Sequence, residues 1–295
     1  MKISIWSTKA RVSLLMGLAS PFIFQLTRVD AKTSAFNYGI VKPIGDGAHI
    51  IAIQKINPTT VEIIYDNNQR LTLDFYGSHI FRMFQDIHGG IIRDPEAKPE
   101  AKILVEQPRK AVNGLDVKDE GNKVSVSTND ILFSMDKQTS QFSILNRKTN
   151  KIVVESLKPI AFLEKQVSLE LIERNDEYFF GGGVQNGRFS HKGKTIAIEN
   201  QNSWTDGGVA SPTPYYWSTN GYGFMWHTFK KGSYAFGAKT KGTVKLTHDT
   251  DYLDVFFMVN DGIVPLLNDF YQLTGNPILL PKFGLYEGHL NAYNR

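Results

Sequence analysis

The residues whose types and spacing could do chemistry lie mainly within residues 179–227. A polar loop, residues 200–208, places the indole ring of Trp204 beside amide side chains and the carboxylate of Asp206. An aromatic ring offers an apolar face to the C–H groups of a sugar, and amide and carboxylate groups can hydrogen-bond its hydroxyl groups. The segment therefore predicts a site for a neutral sugar, with Trp204, Asp206 and the nearby Arg188 as candidate substrate-binding residues.

Each of these features also has a purely structural interpretation. Asp206 precedes two glycines and could cap the backbone of its own turn. The glycine run Gly181–Gly183 could be a bend where strands change sheets or a ligand-binding loop, and the residues favour neither. Trp217 and Trp226 are expected in the strand core, whereas Trp204 lies among loop residues and is the better ligand candidate.

The sequence lacks the residues that thiol, metal or dinucleotide chemistry would require. The chain has no cysteine, which excludes disulfides, thiol catalysis and cysteine-ligated zinc. Its seven histidines include no pair at helical metal-binding spacing, and residues 248–251 (His-Asp-Thr-Asp) indicate a solvated turn rather than a metal site. The glycine run does not fit a dinucleotide-binding fingerprint, because β alternation rather than a helix follows it. No catalytic residue, metal or cofactor is therefore assigned to this chain.

The first 31 residues differ from the rest of the chain. Three basic residues, Lys2, Lys9 and Arg11, precede a mostly apolar run, and Val29–Ala31 offers a cleavage point before Lys32. This order is typical of a secretory signal peptide and predicts a secreted or cell-surface protein. The apolar run is too short and too interrupted for a comfortable membrane span. We therefore expect no membrane attachment after cleavage, with an uncleaved anchor as the alternative.

The charge of the chain is nearly balanced once the leader is removed. Those 31 residues hold four basic side chains and one acidic side chain, which leaves 29 basic and 28 acidic residues. A nucleic-acid partner would need a basic stripe, and the sequence has none. The pattern favours an uncharged substrate and no nucleic-acid partner.

The elements that must position the candidate residues are predicted to be β-strands. Over residues 38–260, apolar and polar residues alternate in many short runs that turn signals separate. This pattern predicts antiparallel sheets packed as a sandwich. Apolar residues then recur at helical spacing over residues 263–273, with Asp261 as the expected N-cap and Gly275 as the expected stop.

Several of the same segments resemble the N-terminal domain of glycoside hydrolase family 31. In that domain a strand enters a glycine turn, a polar loop ends in an acidic residue, and an aromatic strand leads to a Gly-Tyr-Gly sequence. The matching segments here are Phe180–Gly183, Trp204–Asp206, Pro214–Thr219 and Gly221–Gly223. Residues 266–283 resemble the segment that joins the sandwich to the catalytic barrel, with Leu280 in place of a proline and Phe283 in place of a tryptophan.

The resemblance covers nearly all of residues 36–295 and implies both a fold and an activity. The implied fold is a mutarotase-like β-sandwich, a linking helix and the first strand of a truncated (β/α)8 barrel. The family cleaves or transfers α-linked glucosyl, xylosyl or related residues with retention, and its two catalytic aspartates lie on later barrel strands. Such chemistry needs two carboxylates about 5 Å apart. The resemblance gives neither role to this chain and matches Asp206 to a residue that contacts the acceptor sugar.

These patterns divide the chain into a signal peptide (residues 1–31), a β-sandwich domain (residues 32–262) and a linking helix with the start of the barrel (residues 263–295). The expected function is the N-terminal portion of a secreted retaining α-glycosidase or α-transglucosylase, inactive by itself. Its expected partners are an oligosaccharide or α-glucan and the missing catalytic barrel. Two alternatives stay open: a non-catalytic carbohydrate-binding sandwich, and an aldose epimerase, which would need a general acid and base, commonly His and Glu, in the sheet's cleft.

Overall fold

The computed structural model describes residues 48–86 and 92–281, which form eighteen β-strands and one α-helix. The predicted leader, residues 1–31, and the predicted barrel start, from residue 283, lie outside the described residues. No helix in the described ranges is long and apolar enough to cross a membrane. In chain order the strands are β1 (Ile50–Lys55), β2 (Thr60–Tyr65), β3 (Arg70–Phe75), β4 (Ile80–Asp86), β5 (Asp116–Asp119), β6 (Lys123–Ser127), β7 (Ile131–Asp136), β8 (Phe142–Asn146), β9 (Lys151–Glu155), β10 (Ala161–Leu163), β11 (Gln166–Ile172), β12 (Phe179–Gln185), β13 (Lys194–Ile198), β14 (Val209–Ser218), β15 (Tyr222–Trp226), β16 (Gly232–Phe236), β17 (Thr243–His248) and β18 (Tyr252–Val259).

The strands form three antiparallel sheets. An eight-stranded sheet has the order β1-β2-β3-β4-β18-β15-β14-β12. Two five-stranded sheets have the orders β10-β11-β17-β16-β13 and β5-β6-β7-β8-β9, and an isolated bridge between Ser156 and Leu171 connects them. The predicted mainly β, antiparallel sandwich is confirmed, and the two smaller sheets face the large one across a shared core.

The core follows from strand alternation. In β2, Val61, Ile63 and Tyr65 are buried, while the residues between them are partly exposed. Aromatic rings fill much of the space between the sheets, and Tyr216 meets Phe236 edge to face with ring centroids 5.1 Å apart. Burying one large apolar side chain contributes about 1.5–3 kcal/mol, so this core can hold the sandwich together without disulfides.

The helix α1 (Ile263–Thr274) covers the opposite face of the eight-stranded sheet. Its buried residues Leu266 and Leu273 belong to a second apolar cluster with sheet residues such as Met258. The backbone N–H of Val105 donates to the carbonyl oxygen of Leu273 at 2.9 Å. This bond joins the end of the helix to the segment of residues 95–108, which is charged and contains prolines and which the sequence predicts as an exposed loop.

The start of α1 differs from the prediction. Gly262, rather than Asp261, is the N-cap, and its φ angle is 85°. Glycine adopts this left-handed conformation without the steric cost that a side chain brings. No side chain caps the first turn, so the helix depends mainly on the packing of its apolar face.

Candidate functional site

The candidate site is built on β12, an edge strand of the eight-stranded sheet. Gly181, Gly182 and Gly183 have φ angles of 116°, 77° and 76°, and the register with β14 shifts between the first and the third. A Cβ atom on Gly183 would lie 2.2 Å from the carbonyl oxygen of Ser211, so only glycine fits there. The glycine run is therefore a bulge within the strand, and the chain leaves this sheet only after the bulge.

Two loops lie side by side beyond the end of β12: the short loop (residues 186–193) and the long loop (residues 200–208). The backbone N–H of Asn186 donates to the carbonyl oxygen of Gly208 at 3.0 Å. In return, the N–H of Gly207 donates to the carbonyl oxygen of Asn186 at 2.8 Å. This reciprocal pair of hydrogen bonds fixes the long loop against the short one.

Asp206 lies near the end of the long loop with its side chain exposed. Its Oδ1 atom is 3.0 Å from the position that a Cβ atom on Gly187 would take, so the carboxylate rests against the short loop. The turn is closed by the backbone, because the N–H of Gly208 donates to the carbonyl oxygen of Thr205 at 2.8 Å. Within the described residues, the Asp206 carboxylate has no hydrogen-bond or ion-pair partner, so it does not cap its own turn.

Arg188 approaches the same place from the short loop. Its Nη1 atom donates to the carbonyl oxygen of Thr195 at 2.9 Å, which fixes the guanidinium. Its Nη2 atom lies 3.3 Å from the position of a Cβ atom on Gly207, the residue after Asp206. No ion pair joins Arg188 and Asp206 in the part of the chain that the structure describes. The structure thus brings the two candidates together while leaving their charges available to a ligand.

The three tryptophans of interest have different environments. Trp204 is 75% exposed in the long loop. Trp226 is fully buried, as expected of a core residue. Trp217 is only partly buried, and its ring stacks on Phe180 with centroids 4.6 Å apart. Only Trp204 offers a free ring face within the long loop, which suits stacking against a sugar.

Two polar side chains, Gln185 and His191, hydrogen-bond the backbone next to the short loop. The Gln185 Nε2 atom donates to the carbonyl oxygens of Gly182 and Ala197, at 2.9 and 3.0 Å. His191 is buried, and its Nε2 atom lies 2.8 Å from the carbonyl oxygen of Gly181. Because that oxygen can only accept, the proton of the neutral ring is on Nε2. Burial also lowers the pKa of His191, so this histidine supports the glycine bulge as a neutral donor.

One exposed aromatic residue of the short loop, Phe189, is not among the residues that the sequence singles out. Phe189 is 87% exposed, more than Trp204. Its ring meets Phe180 edge to face, with centroids 5.6 Å apart. The signal that identified Trp204, an aromatic residue within a polar, glycine-containing loop, is also present around Phe189 and could have found it.

Within residues 48–86 and 92–281, the other titratable groups do not assemble a reaction centre. In the described ranges, no group of three His, Cys, Asp or Glu side chains is placed to hold a metal ion. His248 was expected in a solvated turn, and this is wrong: it is buried in β17, with Nε2 3.0 Å from the Tyr234 hydroxyl. Burial lowers the pKa of His248 to about 4. Among described residues, the histidines paired with carboxylates are His79 and His227, and their partners are aspartates, not the glutamate of the epimerase alternative.

The fold defines the class of this protein: an antiparallel β-sandwich with its candidate site on two loops at a sheet edge. The family model described as "Glycosyl hydrolase 31 N-terminal galactose mutarotase-like domain" matches residues 70–234, more than half of the chain. The chain therefore belongs to this family. The predicted resemblance, and the mutarotase-like form of the sandwich, are confirmed.

Solved structures of family 31 enzymes share the fold. A dextranase from Flavobacterium johnsoniae, complexed with isomaltotriose, has a TM-score of 0.72 at 19% identity, over 81% of this chain and 29% of that one. The cycloalternan-forming enzyme from Listeria monocytogenes, complexed with a pentasaccharide substrate, has a TM-score of 0.68 at 18% identity, over 80% and 23%. An α-xylosidase from a soil metagenome, complexed with xylose, has a TM-score of 0.62 at 16% identity, over 77% and 35%.

This chain therefore spans about a third or less of the length of these enzymes. Among curated protein sequences, none matches it significantly. At such identities the likeness establishes the fold, and activity has to be argued from the site.

Proposed function

We propose that this chain is the N-terminal portion of a secreted, retaining α-glycosidase or α-transglucosylase that acts on α-linked glucosides. Membership of the family supports glycosidic chemistry, and the neighbours with bound isomaltotriose and pentasaccharide support an oligosaccharide or α-glucan as substrate. The observation that carries the proposal is the Asp206 carboxylate, which is exposed beside Arg188 and Trp204 and unpartnered among the described residues.

In this proposal the chain forms the acceptor side of the active site. An ionised carboxylate can accept hydrogen bonds from two sugar hydroxyls, while the Arg188 guanidinium donates and the Trp204 ring covers apolar C–H groups. Asp206 binds the sugar and does not transfer protons. The nucleophile and the acid/base would come from the barrel, because retention requires two carboxylates flanking the glycosidic bond. The chain alone is therefore expected to show no turnover.

Export is also part of the proposal. It depends on the basic and apolar pattern of residues 1–31, which lie outside the described residues. A sugar-processing enzyme of this kind would act on polymers or oligosaccharides that the cell encounters outside its membrane.

The test is Asp206→Ala in the natural polypeptide that carries this chain together with a barrel. The kcat/KM for a disaccharide should fall about ten- to a hundredfold, because a hydrogen bond to a charged group contributes about 1.5–3 kcal/mol and about 1.4 kcal/mol corresponds to a factor of ten. Glucosyl fluoride should lose much less activity, since its leaving group does not reach the acceptor side. Steady-state kinetics on both substrates, with a thermal melt, measure this.

Asp176→Ala is the matched control, because Asp176 is another exposed turn aspartate and lies outside both loops. It should leave both substrates unaffected. Equal losses on the two substrates after Asp206→Ala, together with a lower melting temperature, would contradict the acceptor-site assignment. Oligosaccharide binding without turnover by the barrel-containing polypeptide would instead favour the carbohydrate-binding module.

A further inference from the structure

Phe189 is an apolar ring that is 87% exposed to solvent and contacts one other ring. Its edge-to-face contact with Phe180, at 5.6 Å, continues into the stacked pair of Phe180 and Trp217, at 4.6 Å and 19°. Trp217 in turn packs against the apolar cluster that contains Leu266 of α1. The Phe180 ring limits the positions that the Phe189 ring can take on that side, which lowers the entropy cost of ordering it on binding.

The polar group next to Phe189 that a ligand can meet is Arg188. The guanidinium of Arg188 lies against Gly207 of the long loop, whereas His191 is buried and its Nε2 atom lies 2.8 Å from the carbonyl oxygen of Gly181. Sugar sites combine one apolar ring face with hydrogen-bonding groups. An exposed ring next to Arg188 and close to the loop of Asp206 has this combination.

Contacts between the two loops place Phe189 near the proposed acceptor site. Arg188, its direct neighbour, has its guanidinium against Gly207 in the long loop. The reciprocal hydrogen bonds between Asn186 and the long loop fix the relative position of the two loops. Phe189 and Asp206 are thus presented from adjoining loops at the same edge of the sheet.

We propose that Phe189 is a second aromatic platform of the acceptor side, on which a glucosyl unit of an α-linked oligosaccharide stacks. This inference rests on the proposed function and adds to it a specificity-determining residue. Phe189 would favour acceptors of two or more sugars, since a ring outside the reacting pair contributes only when the chain of sugars is long enough to reach it.

The experiment compares Phe189→Ala, Phe189→Leu and Phe189→Tyr in the natural polypeptide that carries this chain. The substrates are glucosyl fluoride, a disaccharide and the trisaccharides maltotriose and isomaltotriose. Phe189→Ala should raise the KM for a trisaccharide about tenfold with a smaller change in kcat, and leave glucosyl fluoride unchanged. Phe189→Tyr should retain the trisaccharide KM because it keeps the planar face. Phe189→Leu should not, although it keeps apolar bulk.

Two results would overturn the inference. Rescue by Phe189→Leu would show that apolar bulk, not a ring face, is required. Equal losses on all substrates after Phe189→Ala, with a lower melting temperature, would show that the ring contacts another part of the protein, such as the barrel.

Failure of the proposed function is distinguishable from failure of the inference. If the parent polypeptide cleaves no α-glucoside, titration with maltotriose and isomaltotriose by calorimetry still tests the platform. Weaker trisaccharide binding by Phe189→Ala, with retention by Phe189→Tyr, would then support the inference without the enzyme. A parent that neither cleaves nor binds these sugars would overturn both.

Discussion

Charged side chains are paired on the outer face of the eight-stranded sheet, the face that α1 covers. In the two loops at the edge of that sheet, the carboxylate of Asp206 is unpaired among the described residues. On the outer face, the buried Arg82 donates two hydrogen bonds of 2.6 Å to Asp254, which is fully buried. Its Nη2 atom also donates to the carbonyl oxygen of Arg93 at 2.9 Å. In the loops, Asp206 is exposed and has no partner among the described residues. The ion pair on the outer face therefore stabilises the fold, whereas the loop carboxylate makes no such contribution within the described residues.

This difference separates the polar groups that hold the fold from those that we propose to bind a ligand. A buried ion pair must be matched closely, because desolvation costs as much as the attraction returns. An exposed carboxylate stays hydrated in the empty site, so leaving it unpaired costs little, and it gains a hydrogen bond when a sugar hydroxyl binds. The backbone hydrogen bonds between the two loops fix the position of the loop that carries it. The contrast therefore predicts which substitutions affect folding and which affect sugar recognition.

The largest effect is expected from breaking the buried pair. Asp254→Asn keeps the shape of the side chain but leaves the Arg82 guanidinium, only 3% exposed, without its counter-charge. Removing one member of such a pair costs about 3–5 kcal/mol. Urea unfolding at equilibrium should show this loss in the free energy of unfolding.

The control for that variant is an exposed pair. Arg70 and Glu62 form an ion pair of 2.9 Å at the surface of the same sheet, and Arg70→Ala should cost no more than about 1 kcal/mol. If Asp254→Asn cost as little as this control, charge on the outer face would not be structural, and the comparison between the two regions would fail.

An intermediate, pH-dependent effect is expected at His79, which is paired but partly exposed. Its Nε2 atom lies 3.0 Å from Asp269 of α1, and its Nδ1 atom lies 3.6 Å from Asp130, beside Lys148. The hydrogen bond with Asp269 raises the pKa of His79 above its ordinary value, although burial opposes it. Protonated His79 therefore joins the helix to the sandwich.

The sign follows from linkage. Because the folded-state pKa is raised, the stabilisation is fully present below about pH 6.5, the unfolded value, and is lost as the pH rises through the folded value. His79→Gln should cost about 1–2 kcal/mol at pH 5.5, after discounting for exposure, and less at pH 8.5. Hydrogen exchange of residues 263–274 at both pH values should show the same trend. A pH-independent difference between the two proteins would contradict this assignment.

Much of the fold could be predicted from the sequence because the pattern is local. Period-two alternation indicates the strands, and helical spacing indicates α1 within one residue of its end at Thr274. The N-cap was missed because Gly262, with its positive φ, replaces the expected side-chain cap. His248 was misread as solvated although it continues the alternation of Val244 and Leu246, all three of which are buried.

The candidate site could be proposed from its composition, whereas its contacts could not be predicted. Trp204, Asp206 and Arg188 were identified by residue type, but the hydrogen bonds that join their loops involve the backbone of Asn186, which carries no sequence signal. Ion pairs between residues far apart in the chain could not be predicted either. Arg82 and Asp254 come together only because β4 pairs with β18.

The smallest effect on stability is expected at Trp204. Its side chain is 75% exposed and belongs to neither apolar cluster, so Trp204→Ala should change the free energy of unfolding by no more than about 0.5 kcal/mol. Trp226 is the matched tryptophan in the core of the sandwich. It is fully buried, and Trp226→Ala should cost about 3–5 kcal/mol.

For sugar recognition, in contrast to stability, Trp204 is expected to be the more important of the two tryptophans. An indole face stacked on a sugar contributes about 0.5–1.5 kcal/mol beyond the area that it buries, so Trp204→Ala should lower kcat/KM for a disaccharide several-fold while the melting temperature stays the same. Trp204→Phe, which keeps a planar ring, should recover part of the loss. If Trp204→Ala instead lowered the melting temperature and left the disaccharide kinetics unchanged, the ring would have a structural role. The long loop would then resemble the outer face of the sheet, where side chains hold the fold.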